Sequence, residues 1–134
     1  MELEFLTHDL ACNESYDFAT RTDGDALALD WAPMVRRMVA EVRSGTAGPL
    51  ISARFHNTLA EMMVWVARHL GLEKIVLSGG CFQNRYLTER AIRRLREEGF
   101  RPYWHQRVPP NDGGIALGQV VAVARAPRPK TTED

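Results

Sequence analysis

The sequence predicts a single α/β domain, on two observations that repeat and one that frames them. A short apolar run, Lys74-Ile75-Val76-Leu77, leads into Ser78-Gly79-Gly80 and then a helical pattern. A second strand-like run over residues 100–105 leads into Asp112-Gly113-Gly114 and another helical pattern. Strand–helix–strand–helix order favours a parallel pair joined by a crossover. With 134 residues, 45% of them hydrophobic, the chain suits one domain that buries a proper core.

Residues 2–11 read as a short helix, with Leu3, Leu6 and Leu10 at helical spacing. Two alternating segments, 16–20 and 26–31, flank Asp23-Gly24-Asp25 and read as a hairpin around an Asp-Gly turn. A helix over about 33–42 places Met34, Val35, Met38, Val39 and Val42 on one face, with Pro33 in its first turn. A longer helix over about 49–70 follows, with Ile51, Phe55, Leu59, Met62, Met63, Val66 and Leu70 at helical period and Gly71 as its C-cap. The run 74–77 is continuously apolar after its lysine, as expected of a strand covered on both faces. The helix over about 84–98 turns Leu87, Ala91, Ile92 and Leu95 inward and its arginines and glutamates outward, and Gly99 ends it. Residues 115–125 form the last helix, so the domain spans 1–126, and the proline-rich, charged residues 127–134 read as a disordered tail.

Composition excludes several function classes. Seventeen basic and seventeen acidic side chains give a formal net charge of zero, so no broad electrostatic footprint for nucleic acid is expected. Apolar runs are too short to span a bilayer, and the chain start lacks a basic segment followed by an apolar stretch; the expectation is a cytoplasmic protein with neither nucleic acid nor membrane as partner. The two cysteines, Cys12 and Cys81, have no partners at metal-ligand spacing. Cys81 reads as a small packing residue rather than a reactive thiol.

Chemistry is concentrated in the glycine loops. Ser78, Gly79, Gly80 and Asn84 would set a hydroxyl, backbone N–H groups and an amide around one point, a set that suits phosphate or ribose oxygens. The plain alternative is a tight turn with Asn84 as N-cap. In the second loop Asp112 reads either as an N-cap or as a carboxylate organising a metal ion at a phosphate, and Gly113-Gly114 would leave room for ligand. His56 and Asn57 form a polar run within the long helix, either facing the site or hydrogen-bonded internally. His105 lies near the second loop with no evident partner, and His69 reads as exposed at a helix end. The sequence contains neither a P-loop lysine motif nor G-x-G-x-x-G, and no histidine pair at metal-binding spacing.

Three segments together resemble the C-terminal part of the HypF-type carbamoyltransferases of nickel–iron hydrogenase maturation. They are Phe55-His56-Asn57-Thr58-Leu59, Leu77-Ser78-Gly79-Gly80-Cys81-Phe82-Gln83-Asn84, and the run from Val108 through Pro109-Pro110-Asn111-Asp112-Gly113-Gly114 to Gln119. The resemblance implies one lobe of the ASKHA fold, shared by actin, hexokinase and heat-shock ATPases. It implies binding of ATP and carbamoyl-adenylate, with transfer of the carbamoyl group to a cysteine of a partner protein. Gly79, Gly80 and Asn84 would hold the adenylate, His56 and Asn57 would lie near the ribose, and Asp112 would sit at a divalent metal (Mg or Fe) and phosphate. The resemblance assigns no catalytic residue here. The family's histidine pair belongs to the other lobe, so the chain is expected to need a complementary transferase lobe or a hydrogenase maturation protein as partner. An exposed interlobe face would also promote homo-oligomers. The alternative is a catalytically inactive interaction or regulatory module derived from that lobe.

Overall fold

The computed structural model describes residues 12–23 and 26–126. The helix expected over 2–11, the tip of the hairpin turn and the expected tail at 127–134 lie outside the described residues. The elements run β1 (Ala19–Asp23), β2 (Ala26–Asp30), α1 (Ala32–Arg43), α2 (Gly48–Leu70), β3 (Lys74–Leu77), α3 (Arg85–Glu97), β4 (Arg101–Trp104) and α4 (Ile115–Arg125). Short 3₁₀ turns at Gly80–Gln83 and Asp112–Gly114 introduce α3 and α4. β1 and β2 form the expected antiparallel hairpin, with Ala19 opposite Asp30. β3 and β4 pair in parallel, with Val76 beside Tyr103 and Leu77 beside Trp104.

The core is the α2–α3 interface laid on one face of the parallel pair. Ala60, Val64 and Ala67 of α2 meet Ala91, Ile92 and Leu95 of α3 over Leu77, and Phe82, Phe100 and Trp104 pack at the margin. Small residues on α2 let the helices approach closely, and the inward residues expected on α3 are all buried. Gly71 adopts φ 65° and closes α2, with its N–H donating to the Ala67 carbonyl.

Several expectations from sequence are corrected. β3 is covered on one face only: Leu77 is buried, but Val76 is 71% exposed, because α2 and α3 lie on the same side and no described element covers the other. On α1 only Met34 of the expected apolar face is buried, while Val35, Val39 and Val42 are exposed; the other buried residue is Glu41. On α2, Ile51 and Met62 of the expected face are buried, but the buried stripe also runs through Ser52, His56, Asn57, Thr58, Ala60, Val64 and Ala67, while Phe55, Leu59, Met63 and Val66 are only half-buried and Leu70 is exposed. Arg90 belongs to the interior rather than the solvated face of α3, donating to Asn13 Oδ1 at 2.7 Å. Cys81 is exposed. α4 buries none of its residues, although Ile115, Leu117, Val120, Val121 and Val123 are apolar.

Candidate functional site

The two glycine loops meet. The Gly79 N–H donates to the Pro110 carbonyl at 2.8 Å, tying the loop after β3 to the loop after β4. Both lie at the carboxyl ends of parallel strands, where open α/β sheets receive ligands. Gly79 has φ 110°, a conformation that side chains rarely adopt, so its glycine is a backbone requirement. Gly80 differs: its φ is not positive, and a Cβ there would meet nothing within 4 Å. Neither its backbone nor its neighbours demand a glycine.

The second loop is built differently from the expectation. Asn111, not Asp112, is the cap, accepting from the Gly113 N–H through Oδ1 at 3.1 Å. The Gly114 N–H donates to the Asn111 carbonyl. A Cβ on Gly114 would lie 2.7 Å from the Pro109 carbonyl oxygen, so the space beside this glycine is taken by its own chain rather than left for a ligand. Asp112, relieved of capping, is exposed, and its carboxylate has no hydrogen-bond or ion-pair partner among the described residues.

Asn84 caps α3, its Oδ1 accepting from the Leu87 N–H at 2.9 Å. That bond fixes the amide orientation, so Nδ2 donates to His56 Nε2 at 2.8 Å. With Nε2 accepting, the ring proton sits on Nδ1 and is donated to the Ser52 carbonyl at 2.8 Å. Both ring nitrogens of His56 are therefore engaged. Asn57 is fully buried; its Nδ2 donates to the carbonyls of Cys12 and Glu14, and its Oδ1 accepts from the Tyr86 hydroxyl. Thr58 Oγ1 accepts from the Tyr16 N–H at 2.8 Å. Asn57 and Thr58 thus clamp residues 12–16 onto α2. His56 and Asn84 do border a pocket of about 510 Å³, together with Phe55, Gly80, Cys81 and Gln83.

His105, expected near the second loop with no evident partner, has one in Ser78. Ser78 Oγ and His105 Nε2 lie 3.0 Å apart, both exposed. The signal was the strand period: Ser78 continues β3 past Leu77 and His105 continues β4 past Trp104, the two residues paired in register.

Charged groups elsewhere are structural. The buried Glu41 carboxylate accepts from the Tyr16 hydroxyl at 2.6 Å and from Arg54 at 3.0 Å, joining α1, α2 and the segment before β1. Burial alone would raise its pKa, but the Tyr16 hydrogen bond and the Arg54 guanidinium outweigh that and hold it below the ordinary value. Burial and the same carboxylate push the Tyr16 hydroxyl well above its ordinary range. Arg94 links Glu61, Glu97 and Glu98 across α2 and α3, and these hydrogen bonds raise its pKa.

The described residues do not offer the donors of a complete divalent-metal site. Among the described residues no three His, Cys, Asp or Glu side chains come together at a possible metal site, and hard cations take about six oxygen ligands. Nor is any described helix long and apolar enough to cross a membrane.

Residues 1–119 match the family model described as "Carbamoyltransferase, Kae1-like Domain, second subdomain". The chain belongs to this carbamoyltransferase family. Carbamoyltransferase HypF of Synechocystis is 41% identical over 113 residues, covering 84% of this chain and 14% of that relative. Carbamoyltransferase HypF of Rhizobium leguminosarum is 39% identical over 95 residues, covering 68% of this chain and 12% of its own. Among solved structures, full-length HypF in its phosphate- and nucleotide-bound form superposes with a TM-score of 0.80 at 37% identity, over 91% of this chain and 16% of that one. This chain therefore corresponds to one part of a HypF carbamoyltransferase, spanning less than a fifth of these relatives.

Proposed function

We propose that this chain is a nucleotide-binding lobe of a HypF-type carbamoyltransferase, one lobe of an ASKHA-type fold, handling ATP and carbamoyl-adenylate. The observation that carries the reading is the Gly79–Pro110 hydrogen bond, which sets two glycine loops side by side at the carboxyl ends of a parallel strand pair. Gly80, open on its side-chain side, is where a ligand approaches the backbone, and Ser78 lies beside it. Asp112 supplies one free carboxylate at the phosphate end, and any cation there takes its remaining ligands from outside this chain. Gly113 and Gly114 shape the turn that presents Asp112. Asn84, His56 and Asn57 hold the loop and the pocket wall in place, and the His56–Asn84 hydrogen bond makes them one unit.

The complementary first subdomain is the proposed partner. It would cover the open face of β3–β4 and the apolar α4, which no other described element covers. In the assembled protein the carbamoyl group would pass to a cysteine of a hydrogenase maturation protein in the cytoplasm. Alone, the chain holds half of the site.

The test is calorimetry of the chain with ATP and magnesium at millimolar ligand, expected to show weak binding. Gly80→Val adds a side chain whose Cβ has no neighbour within 4 Å, so it should fold normally and bind no nucleotide. Asp112→Ala should weaken binding without lowering stability. Absence of heat with the unaltered chain overturns the reading and leaves the interaction module.

A further inference from the structure

The Ser78–His105 pair has a place in the fold that no structural need explains. Along β3, Ile75 and Leu77 turn toward the core, so Val76 and, two residues on, Ser78 share the open face. Along β4, Pro102 and Trp104 turn inward, so Tyr103 and His105 share that same face. The register sets Val76 beside Tyr103, and its continuation sets Ser78 beside His105. The pair therefore stands on the open sheet face, one step beyond the strands. Ser78 directly precedes Gly79, the residue that ties the two loops together. The backbone bond already fixes the loops, and a hydrogen bond between exposed side chains adds little to stability.

A serine hydroxyl has one hydrogen and two lone pairs, and its rotation is free unless a neighbour fixes it. When a ring N–H donates to Oγ, the hydroxyl hydrogen is turned away from the ring and left for another acceptor. A ribose hydroxyl accepts or donates and sets no such requirement. An anionic phosphoryl oxygen only accepts, and needs the hydrogen aimed at it. We propose that His105 is a positioning residue whose Nε2–H donates to Ser78 Oγ, aiming the Ser78 hydroxyl hydrogen at a phosphoryl oxygen of the ligand held between the glycine loops. This rests on the nucleotide-binding reading above and adds a specific contact to it.

The experiment compares AMP with adenosine by calorimetry on the full chain and on Ser78→Ala, His105→Phe and His105→Gln, with thermal melts confirming that each variant folds. Ser78→Ala and His105→Phe should each weaken AMP binding roughly tenfold, as loss of one hydrogen bond to a charged group predicts, and leave adenosine binding unchanged. His105→Gln keeps an N–H donor and should restore most of the AMP affinity. The double variant Ser78→Ala with His105→Phe should be no weaker than either single one. If His105→Phe binds AMP like the unaltered chain, or loses AMP and adenosine equally, the inference fails while the nucleotide site stands. If the unaltered chain binds neither compound, both fail together.

Discussion

Asn57 shows how a residue's type can be read correctly and its task misplaced. A buried asparagine with all of its side-chain hydrogen bonds made by its own chain is a fastener, and it fastens residues 12–14 to α2. Asn57→Ala should cost about 2 kcal/mol in urea unfolding, since it leaves two carbonyls and a tyrosine hydroxyl without their partner. Glu41 makes a second such prediction. Its folded pKa lies below the ordinary value of 4.5, so its contribution is complete above that pH and is lost as pH falls through the lowered value. Stability measured by denaturant titration should decline below about pH 4.5, and Glu41→Gln should flatten that decline while lowering stability at neutral pH. Asp112 is the opposite kind of residue. Its neighbour Asn111 carries the cap, so the carboxylate is left without a capping role.

At the scale of elements, α2 and α3 make the fold and the loops between strands and helices make the candidate site. Leu95 is fully buried at the centre of the helix pair, and Leu95→Ala should destabilise by about 3 kcal/mol in the same unfolding measurement. α4 behaves differently. An apolar helix without a buried residue is the pattern of an element that belongs inside a larger body. Val120→Asp and Val123→Asp should therefore leave the melting temperature of the monomeric chain, measured at low concentration, unchanged, because neither side chain packs against anything whose loss would be felt.

For the whole molecule, the bare face of β3–β4 and α4 together predict self-association of the isolated chain. Sedimentation velocity should show reversible oligomers that grow with concentration, and Val120→Asp should shift them toward monomer. A strict monomer at high concentration would remove the open face as a source of association.

The parallel strand pair, the hairpin, the four described helices and the inward face of α3 were all legible from periodicity and caps, because those signals are local. So was the resemblance to the carbamoyltransferases, carried by three contiguous motifs. Burial was not legible, since a helical period says which residues share a face but not whether anything lies opposite. Hence α1 and β3 looked more covered than they are, and the polar run 56–58 looked more available. The clamp closes over 43 residues between Asn57 and Glu14, and the Asn84–His56 and Ser78–His105 contacts close over 28 and 27. Local pattern placed two glycine loops on the chain; contacts between distant segments joined them, consumed most of their polar groups, and left Asp112, Gly80 and the Ser78–His105 pair facing outward.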